Sequence, residues 1–204
     1  MNIIYSSFLK NSCHTNGGII YFVKDKYEDA ENVKNINIQY SEFRENRANH
    51  FGGVFCINMK KSSTMAIRNN IFVSNSAGIA GGIAFFEEIT NNVNEIIELY
   101  LSNNNKNNTM ISNKAISHGN SLATHPSQIS KKLDNLEEHE LYSGGSLSFT
   151  IELKDKIGNI IYDREKYYSN IGVEFKLLIN SNQPLTDYYY YISDDVSTFI
   201  NGKF

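Results

Sequence analysis

Two cysteines, two prolines and no tryptophan occur in this chain of 204 residues. Two cysteines cannot build a disulfide framework, so a small stapled scaffold is excluded. No run approaches the roughly 20 apolar residues that a membrane-crossing helix requires. Positive charge is also scarce: 19 Lys and Arg stand against 22 Asp and Glu, leaving a net charge of −3. The pairs Lys60-Lys61 and Lys131-Lys132 are isolated and read as solvated loops. Without a basic stripe to neutralise phosphates, a nucleic-acid partner is excluded. The opening residues, MNIIYSSFLK, have neither a basic n-region nor a clean apolar core, so no signal peptide is read there. Taken literally, this points to a cytosolic protein.

What is present is a globular composition, 41% apolar and 20% charged, which argues against disorder. Asn, Ile, Tyr and Ser are abundant. Asn combined with β-branched and aromatic residues favours short strands joined by polar turns over helices.

A repeat decides the fold class. Three segments align without gaps: SFLKNSCHTNGGIIYF from Ser7, EFRENRANHFGGVFCI from Glu42 and IFVSNSAGIAGGIAFF from Ile71. Each places Asn three residues after Phe, a small residue two further on, and Gly-Gly four beyond that. The positions are Phe8, Asn11, Cys13, Gly17 and Gly18; Phe43, Asn46, Ala48, Gly52 and Gly53; and Phe72, Asn75, Ala77, Gly81 and Gly82. A degenerate fourth copy keeps the spacing with Met110, Asn113, Ala115, Gly119 and Asn120. The copies are 35, 29 and 38 residues apart. A fixed motif at unequal spacing places the length variation in loops, at 24–35 and in the Asn-rich 103–108.

Short apolar runs flank each motif, with Ile38 and Ile67 both five residues before the Phe. Such runs, cut by Asn and Gly, are strands and turns. One coil buries little alone, but stacked coils pair strand on strand and share a continuous core. The expected fold is therefore all-β, a parallel β-helix of three to four coils. Phe8, Phe43, Phe72 and Met110 are expected to stack inside. Asn11, Asn46, Asn75 and Asn113 are expected to form a corner ladder, where an amide bonds turn backbone and tolerates left-handed geometry. Cys13, Ala48, Ala77 and Ala115 occupy a site for small side chains, and the glycine pairs supply backbone angles that other residues resist. Cys56 aligns with Tyr21 and Phe85, so both cysteines read as buried thiols, Cys56 within a strand.

The pattern F-x-x-N-x-small-x-x-x-G-G resembles the repeat of chlamydial polymorphic outer-membrane proteins and related right-handed, pectin-lyase-like β-helix surface proteins, over about residues 2–124. GGII, GGVF and GGIA depart mildly from the usual G-G-A-[IL]. The resemblance implies extracellular or cell-surface exposure with structural or adhesive roles, and it transfers no catalytic residue. The segments 117–129 and 143–161 are similar to the joint between coils and an immunoglobulin-like domain in large surface proteins of fungi and protists. Some of those look like class C receptor-type chains with seven membrane helices further on.

From about residue 130 the pattern changes. The segment 147–155 alternates, with Leu147, Phe149, Ile151 and Leu153 on one face, as a half-buried strand does. Asp155 to Asn159 then reads as a hairpin turn, and 172–179 and 186–195 as further strands. The expected division is 1–126 coils, 127–146 linker, and 147–204 part of an immunoglobulin-like sandwich. The Cys pair and Trp that mark antibody domains are lacking.

Catalysis on a β-helix needs carboxylates or an Arg or Lys base gathered on one coil face. Glu42, Glu45 and the adjacent Glu87 and Glu88 are few, and Arg44, Arg47 and Arg68 share no repeat position. No catalytic residue, metal or cofactor is expected. His14, His50 and His118 drift along the turn from copy to copy and, with His125 and His139, read as exposed turn residues. Asp187, Asp194 and Asp195 read as an exposed acidic loop. Tyr188, Tyr189, Tyr190 and Tyr191 offer an aromatic strip that could take a carbohydrate, against a plain reading as alternating core and surface residues. Asn107 heads the single glycosylation sequon. The expected function is a non-catalytic structural or binding module of a larger surface protein, with glycans or surface proteins as the partner classes. The alternative is a carbohydrate-active β-helix enzyme with its site elsewhere. Met1 falls inside a coil-forming strand and the sandwich is short of strands. A fragment of a longer, capped protein is therefore expected, and its missing leader follows from the same cause.

Overall fold

The computed structural model describes residues 1–23, 35–58, 64–88, 108–132, 150–168, 171–174 and 196–198. Within them the protein is all-β, and parallel sheets dominate. Each repeat contributes one strand to each of several stacked sheets, an arrangement compatible with a β-helix.

The first sheet pairs Asn2–Ile4 (β1), Asn35–Gln39 (β5) and Thr64–Arg68 (β9). The second carries the Phe position: Ser7–Leu9 (β2), Glu42–Arg44 (β6), Ile71–Val73 (β10) and Thr109–Ile111 (β13). Its register runs Phe8↔Phe43↔Phe72↔Met110. The third pairs Ser12–Cys13 (β3), Arg47–Ala48 (β7), Ser76–Ala77 (β11) and Lys114–Ala115 (β14). The fourth follows the glycines: Ile20–Phe22 (β4), Phe55–Asn58 (β8), Ala84–Glu88 (β12) and Leu122–Thr124 (β15). There Tyr21↔Cys56↔Phe85↔Ala123 share a row.

The core follows from this register. Phe8, Phe43 and Phe72 stack with ring centroids 5.1 and 4.9 Å apart and nearly parallel planes, worth about 0.5–1.5 kcal/mol per pair beyond area burial. Ile38, Val54, Phe55, Ile67 and Ile83 close the interior around them. Cys13 is half-buried rather than buried, while Cys56 is fully buried in its strand.

Two hydrogen-bonded ladders hold the corners. Asn46 Oδ1 accepts from the backbone N and Nδ2 of Asn11, and Asn75 Oδ1 does the same for Asn46, at 2.9–3.0 Å. Asn113 continues the series to Asn75. Each inner amide also donates to a Phe carbonyl of the previous coil, Asn46 to Phe8 and Asn75 to Phe43. These asparagines are not the left-handed residues. That conformation falls on the residue before, Lys10, Glu45, Ser74 and Ser112, with φ of 53–56°. The chain turns there so that the Asn N–H and side chain both face the neighbouring coil.

A second ladder lies two residues before the Phe. Ser6 N donates to Ser41 Oγ, Ser41 N to Asn70 Oδ1, and Asn70 N to Asn108 Oδ1.

The glycine pairs divide the work. Gly17, Gly52, Gly81 and Gly119 have φ of 65–72°, where a side chain is strained. The second glycine lies under the next coil: a Cβ on Gly53 would fall 2.2 Å from the Gly82 carbonyl oxygen. Asn120 takes this place in the last coil.

Two antiparallel pairs follow, Pro126–Lys132 (β16) with Thr150–Asp155 (β17), and Gly172–Glu174 (β18) with Val196–Thr198 (β19). β16 occupies part of the stretch that the sequence places in the linker. Asp155 to Ile161 turns back with Gly158 at φ +94° and a bridge from Lys154 to Ile160. Leu153, Ile161 and Tyr168 pack on the outer face of the fourth sheet against Phe51, Cys56, Phe85 and Ala123.

Candidate functional site

A groove of about 690 Å³ opens at the end of the coil stack, between the corner 115–122 of the last coil and the turn 157–162. Its volume falls in the roughly 300–1,000 Å³ range of small-ligand sites.

The groove exists because the turn closes the last coil without filling the space beside it. Between interior coils, backbone N–H groups donate to carbonyls of the coil before or the coil after. At the last coil side chains take that part. Thr124 N donates to Asp155 Oδ2 at 3.0 Å, Asn159 Nδ2 donates to Leu122 O at 3.0 Å, and Ala115 N donates to Asn120 Oδ1 at 3.1 Å. Lys156 N reaches Thr124 Oγ1, and Tyr162 N reaches Ser117 O. Asp155 is fully buried, its carboxylate also accepting from Ile157 N, Asn159 N and Asn159 Nδ2. Paired strand edges do not attract stray strands, and these bonds pair this one.

The lining is neutral. Ser117, Asn120, Ser121 and Asn159 supply hydroxyls and amides, Leu122 and Ile157 supply apolar surface, and the Tyr162 ring is 42% exposed at the rim. Among the described residues, Lys, Arg, Asp and Glu are absent from the lining. His118 lies at its floor, 4% exposed. Its Nε2 is 2.9 Å from the Thr124 carbonyl, which can only accept, so Nε2 carries the proton; Nδ1 lies 3.1 Å from Ser117 Oγ. Burial pushes the His118 pKa below its ordinary value. The exposed turn histidine expected from sequence is therefore a buried one, because the 150–168 segment covers the turn.

A second constellation lies on the outer face of the fourth sheet. Glu87, at a bulge between Phe86 and Glu88, accepts from Tyr21 OH at 2.8 Å, Asn58 Nδ2 at 2.9 Å and Cys56 Sγ at 3.5 Å. Burial, then the Glu87 hydrogen bond and charge, push the Tyr21 pKa up to about 12. Burial and then Glu87 push the Cys56 thiol up as well. A thiol held protonated beside a carboxylate is a poor nucleophile. The cluster therefore ties three coils together.

The other sequence candidates are dispersed. His14 and His50 are exposed, and His14 Nδ1 lies 3.2 Å from Asn49 Nδ2. The His125 ring packs edge-on to Phe85 and Phe51 at 4.9 and 5.8 Å, and burial lowers its pKa. Arg44 pairs with Glu42, and Lys10 with Glu45 at 3.7 Å. Tyr188, Tyr189, Tyr190, Tyr191, Asn107, His139, Asp187, Asp194 and Asp195 lie outside the described residues. Among the described residues no three His, Cys, Asp or Glu side chains gather as metal ligands, and no helix is long and apolar enough to cross a membrane.

Sequence reasoning missed Asn120, Asn159 and Tyr162 as a group. One signal was present: the fourth copy carries Asn where the others carry their second Gly.

The chain matches no protein-family model, no curated protein and no solved structure.

Proposed function

We propose that this chain is a non-catalytic structural and binding module of a larger cell-surface protein, a right-handed parallel β-helix continued by part of an immunoglobulin-like sandwich. In this reading the coils are a rigid scaffold and the groove beside the last coil is the binding site. The observation that carries the reading is the chemistry of that groove. Amides and hydroxyls lie beside aliphatic surface, an aromatic ring stands at the rim, and among the described residues the walls hold no Lys, Arg, Asp or Glu. Such a lining suits a neutral polyhydroxylated ligand. Each sugar hydroxyl both donates and accepts, as Asn and Ser do, and the apolar sugar face rests on an aromatic ring. A uronate-rich polymer would bring charges that none of the described lining residues answers.

The test is a glycan array of neutral and acidic oligosaccharides on the whole chain, run beside a polysaccharide-degradation assay. Retention of neutral glycans without turnover supports the module. Degradation that disappears in a folded Glu87→Gln variant would overturn the non-catalytic reading.

A further inference from the structure

His118 occupies the joint between the coil stack and the segment that closes it. Its ring bonds Thr124 O, and Thr124 in turn bonds Asp155 and Lys156 of the closing turn. Its neighbour Ser117 accepts from Tyr162 N. The Tyr168 ring faces it at 6.0 Å. One imidazole therefore touches the network that fastens 155–168 to the last coil.

The ring is satisfied only when neutral. Nε2–H donates to the Thr124 carbonyl and Nδ1 accepts from the Ser117 hydroxyl. A proton on Nδ1 forces that hydroxyl to turn round and places a charge in a buried site. Asp155 and Asp163 face the ring and favour the charge, while His125 opposes it. Asp155 already spends its carboxylate on four N–H groups. Asp163 accepts from the backbone of Tyr167 and Tyr168. Burial outweighs both.

We propose that this joint is an acid-released clasp, in which protonation of His118 lifts the 155–168 segment off the last coil and uncovers the strand edge Leu122–Thr124. The sign follows from linkage. A folded pKa below the unfolded value makes the closed state lose stability as pH falls through the unfolded value of about 6.5 toward the folded one. The uncovered edge is then free to take another strand.

Hydrogen exchange on the whole chain at pH 7.5 and 5.0, corrected for intrinsic exchange, tests this. The Thr124 and Tyr162 amides, which bond across the joint, are expected to lose protection by up to about thirtyfold at pH 5, the ceiling set by an open-state pKa near 6.5. Phe55 N–H, bonded to Ile83 O between interior coils, is the internal reference and should not change. His118→Gln, which can still donate to Thr124 O but does not titrate, should show no difference between the two pH values. An unchanged wild type overturns the clasp. So does a His118→Gln variant with the wild-type pH dependence, which would assign the effect to Asp155, Asp163 or His125. If that variant does not fold, an NMR titration of the wild-type His118 ring decides. A midpoint below 6.5 that coincides with loss of amide protection supports the clasp, and a midpoint at or above 6.5 overturns it.

Discussion

Asn46 donates both its backbone N–H and its side-chain amide to one oxygen, Oδ1 of Asn75, at 3.0 and 2.9 Å. The same side chain accepts two bonds from Asn11 and donates to Phe8 O. One fully buried amide therefore joins three coils.

Replacing Asn46 by Ala leaves these groups unpaired and is expected to cost about 1–3 kcal/mol. Asn75→Ala should cost as much. Asn113→Ala should cost less, because Asn113 is only half-buried. Asn11→Ala should cost least, since its exposed side chain makes one of these bonds, to Asn46. Urea denaturation of the four variants gives the order, and equal small effects would contradict the ladder.

The glycine positions predict an asymmetry. Gly82→Asn places a Cβ 2.1 Å from the Asn120 carbonyl oxygen, where backbone has to shift. A loss above about 3 kcal/mol is expected, in the range that marks a severe steric mechanism. The reverse change, Asn120→Gly, removes the bond to Ala115 N and should cost about 1 kcal/mol. Thermal melts of the two variants compare them directly.

Thiol reactivity should split between the two cysteines. Cys56 is fully buried and its pKa is raised, so iodoacetamide at pH 8 should spare it in the folded protein. Cys13 is half-buried and should be labelled. Mass spectrometry should find one adduct in native protein and two after denaturation. Fast native labelling of Cys56 would show that its strand is not covered.

The outer core fastens the segment that closes the groove. Ile161 is fully buried against it, and Ile161→Ala is expected to cost about 2–5 kcal/mol. Limited proteolysis should then cut within 155–168 before the coils.

The coil register was legible in sequence because a stacked coil must return the same side chain to the same place. Phe43 over Phe8 and Asn46 over Asn11 follow from spacing alone. The second ladder escaped notice because Ser6, Ser41, Asn70 and Asn108 differ in identity while sharing a side-chain oxygen. His118 was misread for a different reason. The Tyr168 ring that packs near it and the Asp155 carboxylate that faces it lie far along the chain, and turn periodicity carries no trace of them. The outward direction of Phe85 and Cys56 could be read from alternation, but not what covers them. The groove combines both cases: Asn120 departs visibly from its repeat, whereas Asn159 and Tyr162 reach it through tertiary packing.

Whether a neutral ligand is held beside the last coil is read from amide shifts as a neutral oligosaccharide from the array is titrated into the whole chain. Shifts are expected to gather on Ser117, Asn120, Ser121, Asn159 and Tyr162, with a loss of affinity of at least tenfold in Tyr162→Ala, equivalent to about 1.4 kcal/mol. Shifts gathered on another face of the coils, with Tyr162→Ala binding as wild type, would contradict it.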